Sequence, residues 1–205
     1  MNTTNILRSC FAILLAAISL APPVSALDYP MSSTAIRDAY FLGSGDPEKL
    51  LLYLDKYAKH YPIAKTAQYI GSVRFETPYY IIAEYVSRAS ANGSYHAPDA
   101  EQQFLGKSGL CRVRIEIYYG NATLPGARIQ TNYAIQLTQH DKKIAYTKTW
   151  TEGMVSSDDG SVPVGMYVTT EYNADDIDSS APATVEITQP DGGILTETFD
   201  LDSLR

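Results

Sequence analysis

Chemistry needs a nucleophile, a proton carrier or a set of metal ligands, and this chain offers few of them. Its three histidines, His60, His96 and His140, fall at a helix end, in a loop and in a hairpin turn, places where histidine is usually solvated. Of its two cysteines, Cys10 lies in the first segment. Cys111 opens an alternating strand on the apolar side, where a thiol is buried and inert. No Gly-x-Ser-x-Gly elbow, Ser-x-x-Lys, His-x-x-x-His or Cys-x-x-Cys spacing occurs. Gly106-Lys107-Ser108 is like the end of a phosphate loop, but Glu101 stands where that loop needs glycine, and the segment follows a helix rather than a strand.

Two groupings carry more. Asp158-Asp159-Gly160 and Asp175-Asp176-Ile177-Asp178 sit at strand ends. Clustered loop carboxylates suit a hard cation, so Asp158, Asp159, Asp175, Asp176 and Asp178 are the candidate calcium ligands. Neither run follows the EF-hand loop, and the plainer alternative is a pair of acidic loop tips. The second grouping is a strand. Cys111, Val113, Ile115, Ile117 and Tyr119 face one side, and Arg112, Arg114, Glu116 and Tyr118 face the other. Two arginines and a carboxylate on one sheet face should not be left buried unpaired. Arg112, Arg114, Glu116 and Tyr118 therefore either pair with helix residues such as Asp38 and Glu84 or meet a ligand. Tyr167 and Thr169 occupy the more polar face of their own strand in the same way. A third arrangement, two acids such as Glu76 and Glu116 facing each other across a cleft, would suit carboxylate-dependent hydrolysis.

Those residues need elements to hold them. Hydroxyls at Ser32, Ser33 and Thr34 precede a helix over 35–42 that Gly43 closes. Asp46-Pro47-Glu48 starts a second, and Leu50, Leu54, Tyr57 and Tyr61 recur on one face until Pro62. Residues 67–76 alternate as a strand, with Ala67, Tyr69, Gly71, Val73 and Phe75 on the apolar side. Thr77-Pro78 caps a third helix, and Ala97-Pro98-Asp99 starts a fourth that ends at Gly106. From Cys111 onward the chain is nearly all strand, punctuated by His140-Asp141-Lys142 and Pro190-Asp191-Gly192-Gly193. Strands with one apolar face each must stack in two layers. The expected fold is α+β: an antiparallel β-sandwich of about six or seven strands with several N-terminal helices packed on it. One domain over 27–205 is expected, helical over 27–106 except for its single strand and β over 107–205.

The first 26 residues set the address. Arg8, the apolar run Phe11–Ala21 and the small triplet Val24-Ser25-Ala26 have the layout of a secretory signal cleaved after Ala26. The expected location is outside the cytoplasm, periplasmic or extracellular. Without Arg8 there remain 15 Lys and Arg against 23 Asp and Glu, a net charge of −8. Twelve of those acids follow Trp150, with Arg205 the one base after it. Such a balance disfavours nucleic acid and anionic membranes as partners. All 16 tyrosines lie beyond the signal, and tyrosine concentrates where a ring is buried and its hydroxyl stays wet.

The stretch Ser33–Gly43 (STAIRDAYFLG) and the ending Thr198–Arg205 (TFDLDSLR) resemble the two ends of a family of exported bacterial proteins of unassigned function. The resemblance extends over most of the chain after the signal, including the Pro190-Asp191-Gly192 turn, and implies neither an activity nor catalytic residues. The sequence is thus read as an exported, non-catalytic binding module for a protein or glycan of the cell envelope, with no cofactor. The alternatives are a calcium-stabilised structural or adhesion domain and an extracytoplasmic carboxylate-dependent hydrolase.

Overall fold

The computed structural model describes residues 30–107, 109–120, 129–156 and 162–204. The expected signal, Ser108, Asp158 and Asp159 lie outside them. No described helix is long and apolar enough to cross a membrane.

The described residues form an α+β fold of four helices and two antiparallel sheets. Helix α1 (Ser33–Gly43) is capped by Ser32, whose Oγ accepts from the Ala35 amide. Helix α2 (Pro47–Asp55) is capped by Asp46, with proline in its first turn, and α3 (Pro78–Ala89) by Thr77. Helix α4 spans Ala97–Phe104. Gly43 does not end α1 as a left-handed cap. It is the last helical residue, and a Cβ there would clash with the Ala83 carbonyl oxygen, so it is the close crossing of α1 with α3 that requires glycine.

The strands are β1 (Ala58–His60), β2 (Gln68–Glu76), β3 (Leu110–Tyr119), β4 (Ala134–Gln139), β5 (Lys142–Lys143), β6 (Tyr146–Val155), β7 (Pro163–Asn173), β8 (Ala183–Thr188) and β9 (Ile194–Phe199). One sheet runs in the order β1-β2-β3-β7-β6 and the other β5-β4-β8-β9. Strand β2, though embedded among helices in sequence, completes the larger sheet by pairing with β3. Val73, Phe75, Val113, Ile115, Ile117 and Val168 of the larger sheet form one core with Ile135, Leu137, Val185, Ile187 and Phe199 of the smaller. A second cluster, with Ile36, Ala39, Ile82, Val86 and Ala100, joins α1, α3 and α4.

Two local expectations change. The second helix stops at Asp55 rather than running to Tyr61, because Ala58–His60 pairs with the edge of β2. Tyr57 then buries its ring in the main core instead of continuing a helical stripe. In β2 the register shifts between Ile70 and Ser72, so the faces exchange. Ile70 points into the core, and Tyr69 moves to the polar side, where its ring stacks on Tyr118 at 5.6 Å and 24°.

Candidate functional site

Antiparallel pairing aligns residues of one face in rows across the strands. On the outer face of the larger sheet, the register from β2 through β3 and β7 to β6 gives four rows. They are Tyr69/Tyr118/Gly165/Met154, Ser72/Glu116/Tyr167/Glu152, Arg74/Arg114/Thr169/Trp150 and Glu76/Arg112/Glu171/Lys148. The four residues expected to form a site, Arg112, Arg114, Glu116 and Tyr118, thus stand side by side at its centre.

Arg74 and Arg114 are direct neighbours, which would repel were the carboxylates not interleaved. Arg74 pairs with Glu116 at 3.6 Å, Arg112 with Glu171 at 3.2 Å, and Arg114 with Glu76 at 3.2 Å. Arg114 also reaches Glu84 of α3 at 3.6 Å, one of the two helix partners named from the sequence. Asp38 pairs with none of the arginines among the described residues. Trp150 lies under Arg112 at 5.5 Å, and Tyr167 under Arg114 at 5.6 Å. Cations over indole and phenol faces add to the pairing.

Helix α3 splits this face in two. Over the last two rows it brings Glu84 and Tyr80 down on the arginines, and Glu76 is fully buried. Burial raises the Glu76 carboxyl from 4.5 to about 7, and the neighbouring Glu84 adds to the rise against the opposing pull of Arg114, Arg112 and Arg74. The pairing with Arg114 is close but poorly aimed. Neither Glu76 oxygen has a hydrogen-bond partner among the described residues, and the same holds for Arg114 Nε and the Thr169 hydroxyl. A cavity of about 320 Å³ adjoins this half between α2 and α3, lined by Leu54, Arg74, Tyr80, Glu84 and Arg88 among others.

In the first two rows Ser72 and Met154 are buried, and Glu116, Tyr118 and Tyr167 are partly exposed. A groove of about 500 Å³ runs over them, lined by Glu116, Tyr118 and Tyr167 with Met154, Val155, Ser156 and Val164. Tyr118 donates its hydroxyl to Glu116 Oε1 at 2.9 Å, and Ser72 donates to Oε2 at 2.8 Å. Burial and that carboxylate together push the Tyr118 phenol up to about 12. Beneath the ring is Gly71, where a Cβ would meet Tyr118 ring carbons at 2.5 Å. The missing side chain lets the ring lie across β2.

The described loop carboxylates lie away from this face. Asp175 and Asp176 occupy a single 3-10 turn after β7. Asp178 accepts from the Ser180 amide at 2.9 Å and hydroxyl at 2.7 Å through Oδ1, and its Oδ2 is 3.1 Å from His140 Nε2. These contacts hold it near pKa 2. Among the described residues no three His, Cys, Asp or Glu side chains converge as metal ligands. The Cys111 thiol is completely buried, and burial pushes its pKa up. Glu76 and Glu116 share a face but stand four register positions apart, roughly 13 Å along the strands.

Arg74, Glu171, Tyr69 and Trp150 belong to the same face and were not singled out from sequence. Gly71 inside an alternating run was the one local signal, since an isolated strand glycine marks a bulge, and that bulge is what brings Tyr69 across. No protein-family model matches this chain, and neither does any curated protein.

Proposed function

We propose that the protein is an exported, non-catalytic binding module and that its ligand is a glycan of the cell envelope, seated in the open groove over Glu116, Tyr118 and Tyr167. One observation carries this reading. The groove joins half-buried phenol rings to a carboxylate whose own orientation is fixed by Ser72 and Tyr118. Sugar rings offer C–H faces that pack on aromatic planes and hydroxyls that donate to carboxylates, so this combination suits them.

Catalysis by the same face has less support. A pair of carboxylates must act about 5–9.5 Å apart across the scissile bond. Glu76 and Glu116 are more widely set along the sheet, each is engaged by an arginine, and Glu76 is sealed from solvent.

The test is a screen of the purified chain, lacking residues 1–26, against arrayed envelope polysaccharides, followed by titration of each hit. Tyr118→Ala should weaken binding at least tenfold while its melting temperature stays within a few degrees of wild type. Undiminished binding by that folded variant refutes the groove, and a protein captured in place of any glycan refutes the ligand class.

A further inference from the structure

Strand β6 closes one edge of the larger sheet, and its outer side has no partner strand among the described residues. Such an edge carries a row of unpaired amides and carbonyls. It is also long. Pairing with β7 is regular from Lys148 to Met154, between one irregularity at Tyr146/Lys148 and another at Met154/Val155. Most of its side chains are exposed, including Tyr146 and Val155.

The charges on the outer face point to what covers it. Every charged residue that β2, β3 and β7 place in the four rows has an ion-pair partner within the chain: Arg74 with Glu116, Arg112 with Glu171 and Arg114 with Glu76. The two that β6 contributes, Lys148 and Glu152, have none among the described residues. The Lys148 ammonium lies over the Trp150 ring at 5.0 Å. These two residues flank Trp150 symmetrically, two positions on either side.

We propose that a second copy of this chain docks edge to edge on β6, antiparallel about a two-fold axis through Trp150. Because opposed residues in an antiparallel pair share a face, registers that keep both polar faces on the same side differ in steps of two along the strand. With Trp150 opposite itself, Lys148 of each copy faces Glu152 of the other, and Thr149 faces Thr151. One step toward either end sets Lys148 against Trp150 or Glu152 against Trp150, so neither charge meets its complement. Two steps set Lys148 against Lys148 or Glu152 against Glu152. Only the Trp150-centred register matches both charges, and it does so twice. The edge is complementary to itself, as expected of an isologous contact.

Sedimentation velocity and light scattering on the chain lacking residues 1–26, over a range of micromolar concentrations, test this directly. Wild type should be a dimer. Lys148→Glu and Glu152→Lys each turn two attractive cross-strand pairs into two repulsive ones, and each should weaken dimerisation by roughly ten- to a hundredfold in Kd. The double variant K148E/E152K re-creates the same pairs with signs exchanged and should return Kd to within about threefold of wild type. That rescue also guards against misfolding as the cause of the single losses. A monomeric wild type overturns the proposal. So does a dimer indifferent to the single swaps, or a double swap that fails to restore it.

Discussion

Glu76 provides the sharpest test of the site's physics. Its carboxyl titrates near 4.5 in an unfolded chain and at about 7 in the fold, chiefly through burial. Between those values the folded state holds a proton that the unfolded state lacks. Its contribution to stability is therefore fully present below about 4.5 and is lost as pH rises through 7. The gap, at roughly 1.4 kcal/mol per pKa unit, is about 3 kcal/mol. For a domain of this length each kcal/mol moves the melting temperature by about 2–4 °C, so Glu76 alone should lower it by roughly 6–12 °C between pH 4.5 and 8. The assay is urea unfolding of wild type and Glu76→Gln at several pH values. The glutamine variant keeps the shape and removes the titration, and subtracting it cancels the histidines and every other group they share. The wild-type minus variant difference should fall by about 3 kcal/mol across the window. A flat difference would mean that Glu76 is hydrated in solution and its pairing with Arg114 incidental. A rising difference would mean that the ion pair outweighs burial.

Two further outcomes follow from the same geometry. Arg114→Ala removes the cation closest to Glu76 and should cost about 3–5 kcal/mol at pH 8, where the stranded carboxylate is charged. At pH 5 the loss should be much smaller, and equal losses at both pH values would place the arginine's role in packing alone. Calcium should leave the melting temperature where a chelator puts it, because Asp178 is already engaged by Ser180 and His140. A clear rise with calcium would show ligation and revive the loop carboxylates as a site.

The parts of this structure that were legible in the sequence are those decided locally. Ser32, Asp46-Pro47 and Thr77-Pro78 start helices because a side-chain acceptor or a fixed φ acts within one turn. His140 and Asp141 both adopt positive φ in the two-residue turn between β4 and β5, as a tight hairpin there requires. Alternation along β3 likewise placed Arg112, Arg114, Glu116 and Tyr118 together before any partner strand was known. What was not legible depends on distant pairing. Tyr57 and Tyr61 keep helical spacing with Leu50 and Leu54, yet the edge of β2 claims the segment for β1. Glu76 alternates like any solvent-facing strand residue, and only the passage of α3 over its end of the sheet makes it buried. The rows themselves exist only once four strands are in register. Trp150 and Arg112 are 38 positions apart in the sequence, and nothing near either one announces the contact between them.

The glycine under Tyr118 has a thermodynamic consequence for recognition. A phenol on an open sheet face ordinarily samples several rotamers, and a ligand that needs one of them must bear the entropy of freezing it, about 0.5–1.5 kcal/mol per side chain. Here the ring rests on bare backbone at Gly71, is stacked by Tyr69 and has its hydroxyl tied to Glu116. Its orientation is settled before any ligand arrives. A rigid platform of this kind admits flat, stiff ligands at little entropic loss and does not adapt to bulky ones, so selectivity at the groove is exerted by exclusion, with the shape of the bare strand as its template.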